Sequence, residues 1–171
     1  MIVLLGVNLL FAGFALTLNG VSYLIPVDNR AKGMANVFVG MIIGINAIFQ
    51  TAQASDHVTY GFAAAMWLFA LNYFIISAHI FLNCGNWKVF GLYGLFASIV
   101  SFTFAGEALI TGAPLVLVYL WCMWGLLWAQ TFGSVLMENK TIDKCTPHIL
   151  IINGLASTFI PGFLILLGLI L

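Results

Sequence analysis

Three tryptophans, Trp121, Trp124 and Trp128, stand inside the apolar run LWCMWGLLWAQT (120–131). Spaced three and four residues apart, they fall within an arc of about 60° on a helix and form one stripe. Membrane helices normally carry Trp at headgroup level, where its N–H stays wet. These lie deeper in their segment. Two other apolar segments carry stripes at the same spacing: Phe62, Met66, Phe69 and Tyr73 in one, Leu9, Ala12, Leu16 and Asn19 in the other. Bundle packing is the competing reading of such stripes. Against it, indole N–H and phenol O–H groups need partners in a dry interior. Contacts between membrane helices also favour small residues over indoles. A narrow lumen ringed by these side chains supplies both partners and room.

The remaining embedded polar groups are mostly amides: Asn8, Asn19, Asn36, Asn46, Gln50, Asn72, Gln130 and Asn153. Asn8, Asn36 and Asn46 also read as simple interhelical hydrogen bonds, each worth around 0.6 to 2 kcal/mol. Ionisable groups within the apolar segments are few, with Glu107, His79 and His148 all near segment ends. Ion and proton routes usually carry such groups near mid-membrane, so an uncharged polar solute fits this interior better. A small amide stripped of water without a replacement partner loses roughly 2–7 kcal/mol. Aromatic faces and exchangeable donors offset that loss for a planar solute. Apolar walls offer an ion nothing in place of its far larger hydration.

The elements that must hold these stripes follow from composition. The chain has 171 residues, of which 63% are hydrophobic and only 6% charged. A soluble domain carries about 25% charged residues, so lipid must be this chain's solvent. Six apolar segments, near 2–25, 34–54, 59–82, 89–108, 114–137 and 147–170, each approach the ~20 residues that span hydrocarbon. The expectation is an all-α integral membrane protein, a single six-helix domain over residues 1–171. The N-terminal segment has no basic n-region and is too long for a signal-peptide core, so it reads as the first span. The breaks carry turn chemistry, and Thr146 with Pro147 predicts the N-cap and first position of the last helix.

All five bases, Arg30, Lys32, Lys88, Lys140 and Lys144, fall in the first, third and fifth breaks. The positive-inside rule then puts both termini outside. A faint repeat runs LLFA (9–12), WLFA (67–70), LLWA (126–129), with a looser match of VFVGMIIG (37–44) to VFGLYGLF (89–96). It predicts three helical hairpins around one axis. Gly40 and Gly44 suit close helix contact. Cys84, Cys122 and Cys145 are scattered and read as free thiols, with no metal site and no cofactor implied. The zero net charge implies no nucleic-acid partner.

At this point the chain resembles the AmiS/UreI amide/urea channel family over nearly its whole length. The segments that carry the resemblance are LNGVSYLIPVDNRAKGMANVFVG (18–40), YGFAAAMWLFALNYF (60–74), LWCMWGLLWAQTF (120–132) and CTPHILIINGLASTFIPGF (145–163). The family's Phe and Tyr four residues apart in helix three match Phe69 and Tyr73. Its helix-five tryptophans match Trp121, Trp124 and Trp128. The resemblance implies that Trp124, Trp128, Leu127, Phe69 and Tyr73 line a pore with Leu9, Ala12 and Leu16. It also implies three hairpins around a channel in each protomer and six protomers in a ring. Two departures stand out. Acid-gated members carry a Glu where this chain has Asn153, so this chain has no buried carboxylate there. They also have long outer loops, whereas the outer breaks here hold a single histidine, His57. A histidine titrates near pH 6.5, and one gives little cooperativity.

The expectation is therefore a passive channel for small neutral planar solutes, urea or short aliphatic amides, in a bacterial cytoplasmic membrane and not strongly acid-gated. Its pathway residues are Trp121, Trp124, Leu127, Trp128, Phe69, Tyr73, Leu9, Ala12, Leu16 and Asn153. Its partners are the solute, membrane lipid, further copies of the chain in a homo-oligomer (a hexamer by resemblance) and a cytoplasmic urease or amidase. A proton-coupled amide permease, with Glu107 as its carboxylate, and a non-transporting membrane scaffold are the alternatives. An enzyme is not expected, because the embedded set holds no Ser/His/Asp grouping, metal cluster or carboxylate pair.

Overall fold

The computed structural model describes residues 2–170. Its helices are α1 (Ile2–Val21), α2 (Asn29–Gln53), α3 (His57–Phe81), α4 (Lys88–Ile110), α5 (Leu115–Thr131), α6 (Lys140–Asn153) and α7 (Ile160–Leu166). A π-helical turn, Phe132–Leu136, extends α5, and another, Gly154–Phe159, joins α6 to α7. Six continuous helical stretches are thus long and apolar enough to cross a membrane. The described residues contain no strand.

Side-chain caps set several helix starts. Asp28 accepts from the Ala31 N–H at 2.8 Å, so α2 begins five residues before its apolar segment. At α3, Asp56 accepts from the Thr59 N–H at 2.8 Å while the Thr59 hydroxyl accepts from the Asp56 N–H at 3.1 Å. That reciprocal pair satisfies two otherwise orphaned donors. The start of α6 corrects the expectation placed on Thr146 and Pro147. Asn139 caps this helix, accepting from the N–H groups of Thr141 and Ile142 at 3.0 and 3.1 Å. Glu138, at φ 53°, turns the chain into the cap. Thr146 instead receives the Gln130 side-chain amide at 2.5 Å. Pro147 lies inside the helix, where its missing N–H leaves the Asp143 carbonyl without its α-helical donor.

Three helix pairs surround one axis, but the packed pairs run one helix out of phase with the sequence repeat. The most extensive contacts join α2 to α3, α4 to α5, and α6–α7 back to α1. Gly6, Gly13 and Gly20 make the last pairing possible. A Cβ at Gly13 would stand 2.7 Å from the Gly154 carbonyl oxygen, and one at Gly20 would stand 2.8 Å from that of Pro147. Gly40 and Gly44 form a slot for the Phe74 ring rather than a backbone contact. Amides tie further helices together: Asn19 and Asn36 exchange two hydrogen bonds of 2.9 Å, and Asn46 donates to Asn8 at 2.7 Å.

The interior is built mainly by the odd-numbered helices. Leu5, Leu9, Ala12, Leu16 and Asn19 of α1 are buried, as are Met66, Phe69 and Tyr73 of α3 and Trp121, Trp124, Leu127 and Trp128 of α5. The letter repeat fails in α1. It aligns Phe11 with Phe69 and Trp128, yet Phe11 is 36% exposed while those two are buried. The outward faces of the even helices, including Phe38, Met41, Ile45, Ile48 and Phe49 of α2, are apolar and exposed, as a lipid-facing surface requires.

Candidate functional site

The aromatic stripes meet inside the bundle. Phe69 stands edge-on to Trp124 with ring centroids 5.1 Å apart, and tilted against Trp128 at 5.0 Å. Such edge and tilted contacts are favoured by ring quadrupoles. Trp121 meets Trp124 edge-on at 5.1 Å but turns its face to Phe104 of α4, stacked at 4.7 Å. The rings thus point inward, as the stripes predict. They do not leave a continuous hollow thread, because Phe69 touches both indoles and closes the interior at this level.

Open space lies to either side of that closure. One cavity, of about 160 Å³, is bounded by Leu127 and Trp128, by Leu16 and Asn19 of α1, and by Asn72 and Ile76 of α3. Its mouth carries Lys32, Tyr23, Trp87 and Asp143, so it opens at the end of the bundle that holds the basic residues. On the other side, about 10 Å³ remains among Leu5, Asn8, Leu9, Ile43, Met66, Phe69 and Trp124. That is room for about one water. A third recess, of about 50 Å³, holds Trp121 with His57, Phe104 and Glu107 at the opposite end of the bundle.

Of the pathway aromatics, Tyr73 and Trp124 donate to backbone carbonyls. Tyr73 donates across the interior to the Ala12 carbonyl at 3.0 Å, which ties α3 to α1. Ala12 therefore contributes its carbonyl as well as its small side chain. Trp124 Nε1 donates to the Ser157 carbonyl at 3.3 Å, and the Tyr119 hydroxyl to that of Ala156 at 3.1 Å. Both acceptors lie in the π-helical turn before Pro161. A residue at 161 would donate its N–H to Ser157 in α register or to Ala156 in π register. Proline has no N–H, so it frees one of these carbonyls and the change from π to α register frees the other, and α5 supplies a side-chain donor to each. This is what fixes the Trp124 indole. The proline and the π-turn are the parts of the site that sequence reasoning missed. Pro161 is visible in the sequence, but the donors that answer it come from another helix.

The expected pathway residues divide. Leu9, Phe69 and Trp124 line the small space beyond the closure, and Leu16, Leu127 and Trp128 line the large cavity. Tyr73 and Ala12 brace the wall between α1 and α3. Trp121 belongs to the third recess. Asn153 lines none of the three cavities. It donates to the Ile149 carbonyl at 3.2 Å and accepts from the Ser157 hydroxyl at 3.1 Å, an arrangement internal to its own helix. Gln130 and Thr131, absent from the expected set, also face the large cavity. Cys84, Cys122 and Cys145 are free thiols.

Residues 4–169 match the family described as AmiS/UreI family transporter. The acid-activated urea channel of Helicobacter pylori is 27% identical over 192 aligned positions, covering 95% of this chain and 97% of its own length. A transporter of amidate substrates from Mycolicibacterium smegmatis is 24% identical over 166 positions, covering 95% of this chain and 76% of its own. The fold matches the crystal structure of the Helicobacter pylori urea channel with a TM-score of 0.81 at 23% identity, over 98% of this chain and 99% of that one. The cryo-EM structure of that channel in its closed state gives 0.79 at 24% identity, over 95% and 97%.

Proposed function

The chain belongs to the AmiS/UreI family of transporters, and from that premise we propose that it is a passive channel for urea or short aliphatic amides. The observation that carries the reading is the closure of Phe69 against Trp124 and Trp128, with cavities on both sides and only neutral groups at the closure itself. A solute passing there must be thin enough to part these edge-on and tilted rings and neutral enough to shed water cheaply. Urea and acetamide meet both demands. An ion does not, because the ring faces and Leu9, Leu16 and Leu127 offer no replacement for its hydration. Flux is fast because no single contact is strong.

The residues 1–171 act as one channel domain, and its pathway runs past Leu9, Ala12, Leu16, Phe69, Tyr73, Trp124, Leu127 and Trp128, with Trp121 at the outer recess. Asn153 supports the wall through its bonds to Ile149 and Ser157. By the positive-inside rule the five bases favour a wide cavity facing the cytoplasm and both termini outside a bacterial cytoplasmic membrane. The family resemblance favours a ring of six copies and a cytoplasmic urease or amidase that consumes the solute. Glu107 lies beside His57 in the outer recess, away from the closure, which favours a passive channel over a proton-coupled permease. A non-transporting scaffold needs no inward indole cluster at this depth.

Stopped-flow light scattering of proteoliposomes, with urea, acetamide, glycerol and water as test solutes, tests the proposal. Urea and acetamide should cross faster than in protein-free vesicles, and glycerol should not. Equal rates with and without protein favour the scaffold. Dependence of urea uptake on an imposed proton gradient favours the permease.

A further inference from the structure

Asn72 is an embedded amide with no protein partner. Its neighbours in kind each hold at least one bond: Asn19 with Asn36, Asn46 with Asn8, Gln130 with Ser134 and Thr146, and Asn153 with Ile149, which leaves only Asn8 Nδ2 and Gln130 Oε1 buried and unpaired among them. Gln50 also lacks partners, but it is sealed within the bundle and borders none of the described cavities. Asn72 is only 5% exposed, and it lines the 160 Å³ cavity. Among the described residues nothing donates to its side chain or accepts from it. A buried polar group left in this state calls for an occupant.

The position is specific. Asn72 follows Phe69 by three residues, so on α3 it stands one turn below the closing ring, on the wide side. Ile76 continues that face, and the apolar walls opposite are Trp128, Leu127 and Leu16. A primary amide or a urea presents an N–H and a C=O on one planar edge. The Asn72 side chain presents the complementary edge, Oδ1 to accept and Nδ2 to donate. Both hydrogen bonds can form together only with a solute whose N–H and C=O lie on the same side. The cavity exceeds by far the ~10–15 Å³ that one water needs, so a solute of four heavy atoms fits with water still around it.

We propose that Asn72 is a docking station that reads the amide edge of the solute beside the aromatic closure. It replaces two of the waters that the solute sheds before it passes Phe69. Extended secondary amides fail the test, because their N–H and C=O point to opposite edges. The inference rests on the channel reading above and adds a specificity-determining residue to it.

Acetamide and N-methylformamide are isomers of equal heavy-atom count, and only the first presents the required edge in its stable form. In proteoliposomes of the full-length protein, corrected for protein-free vesicles, acetamide should cross about three- to tenfold faster than N-methylformamide. Asn72→Leu, similar in size but without polar atoms, should bring that ratio to about one and slow urea. Asn72→Ser, which keeps a hydroxyl but no planar edge, should do the same and serves if the Leu variant aggregates. Equal wild-type rates would mean that water alone occupies the site and would overturn the station while leaving the channel intact. An unchanged ratio in either folded variant would overturn it as well. If neither isomer, nor urea, outpaces protein-free vesicles, the channel reading falls and the station with it.

Discussion

Replacing Trp124 by Phe removes one N–H and keeps an aromatic ring. The Ser157 carbonyl then loses the donor that holds it at 3.3 Å. Pro161 cannot supply another, so a buried carbonyl is left unpaired, at a cost of about 1–3 kcal/mol. The smaller ring adds a packing loss on the order of 1 kcal/mol. Pro161→Ala restores a backbone N–H one turn from Ser157, and in that background Trp124→Phe should cost less. The expected coupling between the two substitutions is about 1 kcal/mol, within the range seen for residues that share a partner. The assay is a double-mutant cycle of unfolding free energies in mixed micelles titrated with denaturing detergent. Strict additivity, within about 0.3 kcal/mol, would refute the claim that Trp124 is positioned by the carbonyl Pro161 sets free.

Two glycines should respond in opposite directions. Gly13→Ala drives a methyl to 2.7 Å from backbone atoms of Gly154 and Phe159 and should destabilise by about 1–3 kcal/mol or more. Gly106, inside α4 with open space around it, should gain about 0.5–1 kcal/mol on change to Ala; thermal unfolding of both variants checks the pair. Urea flux should stay nearly flat from pH 5 to 8, and a tenfold rise on acidification in proteoliposomes would contradict this. The Asp56 carboxyl is held below the usual carboxylate range, chiefly by the Thr59 N–H and then by the Thr59 hydroxyl. Its capping contribution is therefore fully present above that range and fades only as pH falls through its lowered value. Acid unfolding in micelles should begin below about pH 4, and Asp56→Ala should lower stability at pH 7 while weakening the acid-dependent loss.

The spans were legible because hydropathy over about 20 residues is a strong signal in a chain with so few charges. Helix ends were less so. The polar starts of α2 and α6 extend past the apolar segments, and Asn139 outcompeted Thr146 as a cap because its side chain reaches two free N–H groups. The inward aromatic stripes of α3 and α5 were visible from spacing alone. The facing of α1 was not settled by the repeat, since LLFA matches by letters while Gly6, Gly13 and Gly20 fix its rotation against α6–α7. The ring contacts that close the interior depend on rotamers and helix separation, which no spacing rule reports. Asn72 was visible as an embedded amide, but its lack of a partner is a property of the cavity.

A solute must pass the Phe69 ring, which is wedged against Trp124 and Trp128. Phe69→Ala removes that ring and joins the large cavity to the space beyond it. Stopped-flow measurement of urea and glycerol permeability in matched proteoliposomes tests this most directly. The folded variant should admit glycerol, and its urea-to-glycerol ratio should fall by at least tenfold. A folded variant that keeps the wild-type ratio would place the selective step away from Phe69.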